Sequence, residues 1–120
     1  MNESEIMKNE TKVDILLGEC ESIISCVENV IDLCDSNDFV TNLLQTEEFE
    51  NIRFIAEELQ SLVFNSNDKI EIYDLSVTLY DECKFIVEAL EESIQDRDIL
   101  NEFGFIRSAS SIIVDTASFS

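Results

Sequence analysis

The sequence predicts an all-α protein, folded as a single-domain bundle of five or six helices. It has 120 residues, no proline and only two glycines, so little interrupts a helix over most of its length. Hydrophobic residues make up 45% of the chain, which is enough to build one core at this size despite the high charge. Apolar residues also recur in steps of three and four, the period of one helix face.

The first helix is predicted from about Glu10 to Cys34. Its apolar seam alternates steps of three and four without a break, and Leu17, Ile24 and Ile31 widen it on one side. A stripe this wide favours the core of a bundle over a two-stranded coiled coil. Residues 1–9 are polar, and we expect them to be frayed. The seam consists of Val13, Leu16, Cys20, Ile23, Val27, Val30 and Cys34.

Polar residues 35–38 break this period, and a short helix is predicted from Phe39 to Gln45. Thr46 is an N-cap candidate for the next long helix, because its hydroxyl can accept a hydrogen bond from a free backbone N–H. That helix should run to about Phe64, where the polar residues 65–68 close it. Its seam consists of Phe49, Ile52, Ala56, Leu59 and Val63.

Residues 69–95 are predicted as a helix, although 69–73 alternate like a strand and a short strand there stays open. The helical steps run through Ile72, Ser76, Leu79, Cys83, Ile86 and Leu90. A short helix is predicted at 97–103, where Gly104 would act as its C-cap. A last helix is expected after Phe105, with residues 117–120 frayed.

The charge of the chain indicates which partners it can have. There are 27 acidic and seven basic residues, and the formal net charge is -20. Such a charge repels nucleic acid and anionic membranes, so neither is predicted as a direct partner. It favours association with a basic protein surface. Adaptation to high salt is the alternative interpretation, but halophilic proteins do not usually favour so much isoleucine and cysteine.

We predict a cytoplasmic location. The chain begins with acidic residues, and no apolar run approaches the ~20 residues of a membrane span. The four cysteines, Cys20, Cys26, Cys34 and Cys83, have no CxxC spacing. We expect free, mostly buried thiols in a reducing compartment, and one disulfide pair stays an open alternative.

The sequence predicts a binding protein and not an enzyme. Without histidine, a Ser-His-Asp or Cys-His arrangement is impossible. Phosphate-binding, zinc-protease and calcium-loop motifs are missing, and no cofactor or metal is predicted. The adjacent pairs Glu57-Glu58 and Glu91-Glu92 point to different sides of a helix, so neither forms the carboxylate pair of a glycosidase.

Acidic residues form ridges at seven-residue intervals on three helices. On the first helix the ridge contains Asp14, Glu21 and Glu28. Phe54 and Phe85 stand in the other two ridges, away from the apolar seams. Either these phenylalanines make a second buried contact, or they are aromatic anchors ringed by carboxylates for a basic partner. The predicted partner-binding residues are Glu50, Phe54, Glu57, Asp81, Phe85, Glu88 and Glu92.

In composition the chain resembles bacterial immunity proteins and phage-encoded inhibitors, which are often small, acidic and cytosolic and bind a cationic enzyme. The favoured hypothesis is an acidic stoichiometric inhibitor that binds and blocks the basic active-site cleft of a toxic nuclease. One alternative is a phage-encoded nucleic-acid mimic that blocks a host defence or DNA-binding protein. Another is a helical adaptor or secretion chaperone. We expect a monomer or a weak dimer.

Overall fold

The computed structural model of the chain is a four-helix bundle. It describes residues 3–35, 46–65, 68–92 and 94–118, and only the backbone of 3–10, 34–35 and 46–48. Each helix packs against the next, and the last packs back against the first, so the helices form a closed ring around one core. They are α1 (Glu3–Asp35), α2 (Thr46–Asn65), α3 (Lys69–Leu90) and α4 (Arg97–Ala117).

Neighbouring helices run antiparallel. The Gln60 side-chain amide donates to the Leu17 carbonyl at 3.2 Å, and Arg53 lies 3.9 Å from Glu28, so α2 runs down as α1 runs up. The connection between α2 and α3 and the one between α3 and α4 are short, as antiparallel neighbours require. With 33 residues, α1 is much longer than the other helices and accounts for the 55 Å long axis of the bundle.

The predicted seams form the core, which confirms the helical periods. In α1, the side chains of Leu16, Cys20, Ile23, Val27 and Val30 are fully buried. Phe49 of α2 and Phe103 of α4 stack across the bundle with their ring centroids 5.8 Å apart. This contact stabilises the core beyond what the burial of their apolar area contributes.

Two serines are buried among these apolar side chains. The Ser76 hydroxyl donates to the Ile72 carbonyl at 2.7 Å, and the Ser110 hydroxyl donates to the Arg107 carbonyl at 2.9 Å. Neither hydroxyl is therefore left without a partner, and the desolvation cost of a bare polar group is avoided.

The structure differs from the prediction in the number of helices. The described residues form four helices where five or six were predicted. The short helix predicted from Phe39 to Gln45 lies outside the described residues. The helices predicted at 97–103 and after Phe105 are one continuous helix, α4, so that part of the prediction was wrong.

Gly104 explains the wrong boundary. It does not have the positive φ of a C-capping glycine, and α4 passes straight through it. The seam continues beyond Gly104 to Ile106 and Ile113, both fully buried. Burying each of these side chains contributes ~1.5–3 kcal/mol, which outweighs the ~1 kcal/mol cost of a glycine inside a helix.

The other boundaries follow from local capping. Residues 69–73 are helical, so the strand alternative was wrong: the Asp68 carboxylate accepts hydrogen bonds from the backbone N–H groups of Ile70 and Glu71, each at 3.1 Å. Asp96 caps α4 in the same way. At the other ends, α1 begins at Glu3, earlier than predicted, and α3 ends at Leu90, earlier than residue 95.

Three cysteines are free thiols in the core. Cys20, Cys26 and Cys83 are buried and unpaired, which confirms the prediction for them, and the Cys34 side chain lies outside the described residues. Burial raises the pKa of each of the three thiols to about 12, and the neighbouring carboxylate of Glu19 adds to the effect at Cys20. Because the thiolate is the reactive form, these cysteines stay protonated and weakly nucleophilic at neutral pH while the chain is folded.

The stability of the fold should fall as the pH rises above about 9. The raised pKa means that the core thiols keep their protons up to about pH 12, whereas the thiols of the unfolded chain lose theirs near the ordinary value of 9.0. The contribution of these thiols to the free energy of unfolding is therefore fully present below pH 9.0 and is lost between that pH and about pH 12, because proton release favours the unfolded state. Thermal unfolding at pH 8 to 11 checks this. Cys83→Ala should be less stable at pH 8, because it leaves a cavity, yet lose less stability on going to pH 11. If Cys83→Ala and the unmodified protein lost equal stability between pH 8 and pH 11, the Cys83 thiol would not be a cause of the pH dependence.

Gly104→Ala should stabilise the protein by ~0.5–1 kcal/mol, because alanine restricts the unfolded chain more than glycine does. A Cβ atom at this position would meet nothing within 4 Å. Urea denaturation measures the change. A glycine that capped a helix with positive φ would give the opposite sign, with alanine destabilising.

Candidate interaction surface

The predicted partner-binding residues lie on the outward sides of α2 and α3, which are neighbours in the ring. Each helix turns its inner stripe to the core, so the outward stripes of the two helices lie side by side. All seven predicted residues are exposed there. We call this surface the α2–α3 face; it comprises Glu50, Phe54 and Glu57 of α2, Asp81, Phe85 and Glu88 of α3, and Glu92 just beyond the end of α3.

Phe54 and Phe85 lie at similar heights on this face. In an antiparallel pair, residues equally far from the connection are level with each other. Phe85 is only a few residues further than Phe54 from the connection at 66–68, which corresponds to an offset of ~5–8 Å along the bundle axis. The two aromatic side chains therefore lie at similar heights on neighbouring helices, although 31 positions separate them in the sequence.

Neither phenylalanine is used by the fold. Phe54 is 63% exposed and Phe85 is 68% exposed, whereas Phe103 in the core is 1% exposed. Among the described residues, neither ring therefore has the second buried contact that the sequence left open as an alternative. Carboxylates lie one helical turn away on each side, at Glu50 and Glu57 for the first ring. Exposed aromatic groups with a polar rim are typical of protein-interaction sites.

Among the described residues, no lysine or arginine forms an ion pair with the carboxylates of this face. Arg53, on α2, turns towards α1 and lies 3.9 Å from Glu28. On α3, Lys84 points ~100° away from Phe85, on the side of α4. Arg107 of α4 pairs with Glu91 at 3.2 Å. The α2–α3 face therefore keeps its negative charge.

A groove lies beside the aromatic pair, towards the connection at 66–68. Its volume is about 460 Å³, and Leu62 and Leu75 form an apolar base, with the carboxylates of Glu58, Glu71 and Asp74 beside them. This combination suits a lysine or arginine side chain, whose stem is apolar and whose head is cationic. Sequence reasoning missed this groove, because a helical period shows which way a residue points but not which helix lies next to it.

The acidic ridge of α1 lies on the other side of α2. Glu21 accepts a hydrogen bond from the Gln60 side chain at 3.1 Å, and Glu28 pairs with Arg53. Part of this ridge therefore helps to hold α1 against α2. It is distinct from the α2–α3 face, where the carboxylates make no such contacts among the described residues.

Comparisons with protein families, curated proteins and solved structures find no match. Within the described ranges, no three metal-ligating side chains cluster together. None of the helices described above has the length and apolar content to cross a membrane. The shape and charge of the surface are therefore the features that bear on function.

Phe54→Ala and Phe85→Ala should each change the free energy of unfolding by no more than ~0.5 kcal/mol, as is usual for exposed positions. Phe103→Ala, the matched core variant, should lose ~3–5 kcal/mol. Urea denaturation of the three variants makes the comparison. A loss above ~2 kcal/mol in either surface variant would show that the ring supports the fold.

Proposed function

We propose that the protein is an acidic stoichiometric inhibitor of the immunity-protein type, which binds and blocks the basic active-site cleft of a toxic nuclease. The observation that carries the proposal is the α2–α3 face, where two exposed phenylalanines lie among carboxylates that form no ion pair within the described part of the chain. A nuclease cleft is lined with lysine and arginine that bind phosphate. The carboxylates of the inhibitor would occupy the positions of those phosphates.

The aromatic and acidic residues would contribute to binding in different ways. Burying the exposed part of each phenylalanine in a packed pocket of the partner would stabilise the complex by more than ~2 kcal/mol, as aromatic anchors at interfaces usually do. The carboxylates would mainly attract and orient the partner, since charge complementarity acts more on association rate and specificity than on affinity. The helical bundle holds both sets of groups in place before binding, which limits the entropy lost on association.

The direct test is to capture the partner from the native host with a tagged chain and identify it by mass spectrometry. The proposal requires a basic nuclease whose cleavage of nucleic acid stops at one inhibitor per enzyme. The Phe54→Ala/Phe85→Ala double variant should stop cleavage only at a much higher inhibitor concentration. Cleavage that continues with the unmodified protein in molar excess, or the capture of acidic partners alone, would refute the proposal.

Salt should slow association with the partner steeply, at least tenfold between about 0.05 and 0.5 M NaCl, because the charges are screened over ~8–10 Å at physiological ionic strength. The dissociation rate should change far less. Stopped-flow mixing at several salt concentrations separates the two rates. An association rate that does not depend on salt would exclude steering by the acidic face.

Each of Phe54→Ala and Phe85→Ala should weaken partner binding by more than ~2 kcal/mol, about 30-fold, chiefly through faster dissociation. Phe64→Ala is the matched control, because Phe64 is also exposed, at 79%. It lies ~15 Å from Phe54 along α2 and is turned by ~80° from it towards α1, so it is outside the pair formed by Phe54 and Phe85. A similar loss in all three variants would mean that the effect is not specific to this face.

One feature also favours the nucleic-acid mimic. The ridges of α2 and α3 are adjacent, as they must be if carboxylates ~10 Å apart on each helix are to interleave like the phosphates of a duplex. Phe54 and Phe85, at the centre of the face, have no counterpart in a phosphate backbone and favour the inhibitor. The captured partner distinguishes the two, since the mimic requires a defence or DNA-binding protein. The adaptor alternative requires the two rings to be buried between copies, which a monomer in sedimentation would exclude.

A further inference from the structure

A second groove lies on the opposite side of the bundle, between α1 and α4. We call it the α1–α4 groove. Its volume is about 390 Å³, and its lining on α1 combines small residues with the carboxylates of Glu19 and Glu21, while larger apolar side chains stand on α4. The residues that matter here are Gly18, Ser22 and Ser25 of α1, and Phe105, Ser108 and Ile112 of α4.

The apolar side chains of this groove are also unused by the fold. Phe105 is 62% exposed and Ile112 is 41% exposed. They are seven residues apart, so they lie on one side of α4, ~10 Å from each other. Ile15 is 38% exposed and lies on the same side of α1 as Ser22, two turns away. The result is an apolar strip along the seam between α1 and α4.

The groove is long enough for a helix. A second cavity of about 440 Å³ shares Phe105 and extends the groove to Asp32 and Asp98. From Ile112 to Asp98 the distance along α4 is ~20 Å, or four helical turns. Glu19 lines the other end. No lysine or arginine lines either cavity, so the rim is negative throughout.

Gly18 leaves space that the fold does not require. A Cβ atom there would meet nothing within 4 Å, and the residue lies inside α1, where glycine is less favourable than alanine. Since no neighbouring atom in the described structure needs this glycine, the open space lies in the groove itself. A partner backbone can therefore approach α1 closely at this point.

We propose that the α1–α4 groove binds a basic amphipathic helix of a partner protein. Large apolar side chains spaced at i, i+4 and i+7 would seat over Gly18, Ser22 and Ser25, between Phe105 and Ile112. Lysine or arginine residues beside them would meet the carboxylates of the rim. The charge of the groove selects this occupant over a second copy, because each copy carries a net charge of -20 and the two would repel.

This site is independent of the proposed inhibitor function. It uses different helices and different residues, and it lies across the bundle from the α2–α3 face. The protein could thus hold two basic segments at once, one on each face. A segment bound in the α1–α4 groove would leave Phe54 and Phe85 free.

The test uses a synthetic helix as a probe. A fluorescent peptide of about four turns, with leucines on one face and lysines on the other, is titrated into the protein and compared with a peptide of the same composition in scrambled order. We expect saturable binding tighter than ~1 mM for the amphipathic peptide and at least tenfold weaker binding for the scrambled one. NMR shifts should centre on Gly18, Phe105 and Ile112. Equal binding of both peptides, or no saturable binding, would overturn the proposal.

Gly18→Leu fills the groove and should weaken peptide binding at least tenfold, without lowering Tm, because leucine is the better helix former. Gly104→Leu is the matched control, since it also replaces an unobstructed glycine inside a helix but does not line the groove. It should bind the peptide normally. The Phe54→Ser/Phe85→Ser variant should also bind normally. If that variant alone loses binding, the peptide occupies the α2–α3 face, and the groove proposal is overturned while the proposed function is not.

Discussion

The structure depends on one constraint, which is that a carboxylate without a partner must stay in water. Burying such a charge costs several kcal/mol, and a domain of this size has only ~5–15 kcal/mol of net stability. With 27 acidic and seven basic residues, most carboxylates have no possible ion-pair partner. Four helices satisfy the constraint, because each turns an aliphatic stripe inwards and its acidic residues outwards. The described core accordingly contains aliphatic, aromatic, cysteine and two serine side chains, and no charged ones.

The same constraint bears on how the exposed apolar residues are interpreted. The core excludes charged side chains, but Phe54, Phe85 and Phe105 remain exposed although burial would favour the fold. They occur on opposite faces of the bundle, in acidic surroundings with few or no basic residues. The α2–α3 face combines protruding rings with charge, whereas the α1–α4 groove combines small residues with apolar walls. These two shapes suit different partners, a cleft for the first and a helix for the second.

The candidate surface shows what helical periodicity can and cannot predict. The phase of Phe54 and Phe85 relative to their seams was enough to place both rings outside the core, and the acidic neighbours followed from the same period. The grooves could not be predicted, since each is formed by residues from two helices. The boundary at Gly104 was wrong for a related reason: a glycine is a stop signal in isolation, but burial of Ile106 and Ile113 favours a continuous helix.

The sequence by itself determined the all-α class, the inward stripes and the negative surface, because these depend on the period and composition of single helices. Only the tertiary structure decided that α2 lies beside α3, and α1 beside α4. That choice depends on how the stripes of all four helices pack together and on contacts such as the one from Gln60 to Leu17. It places Phe54 and Phe85 at similar heights on neighbouring helices and brings Gly18 and Ile112 into one groove, so both candidate binding sites come from long-range packing.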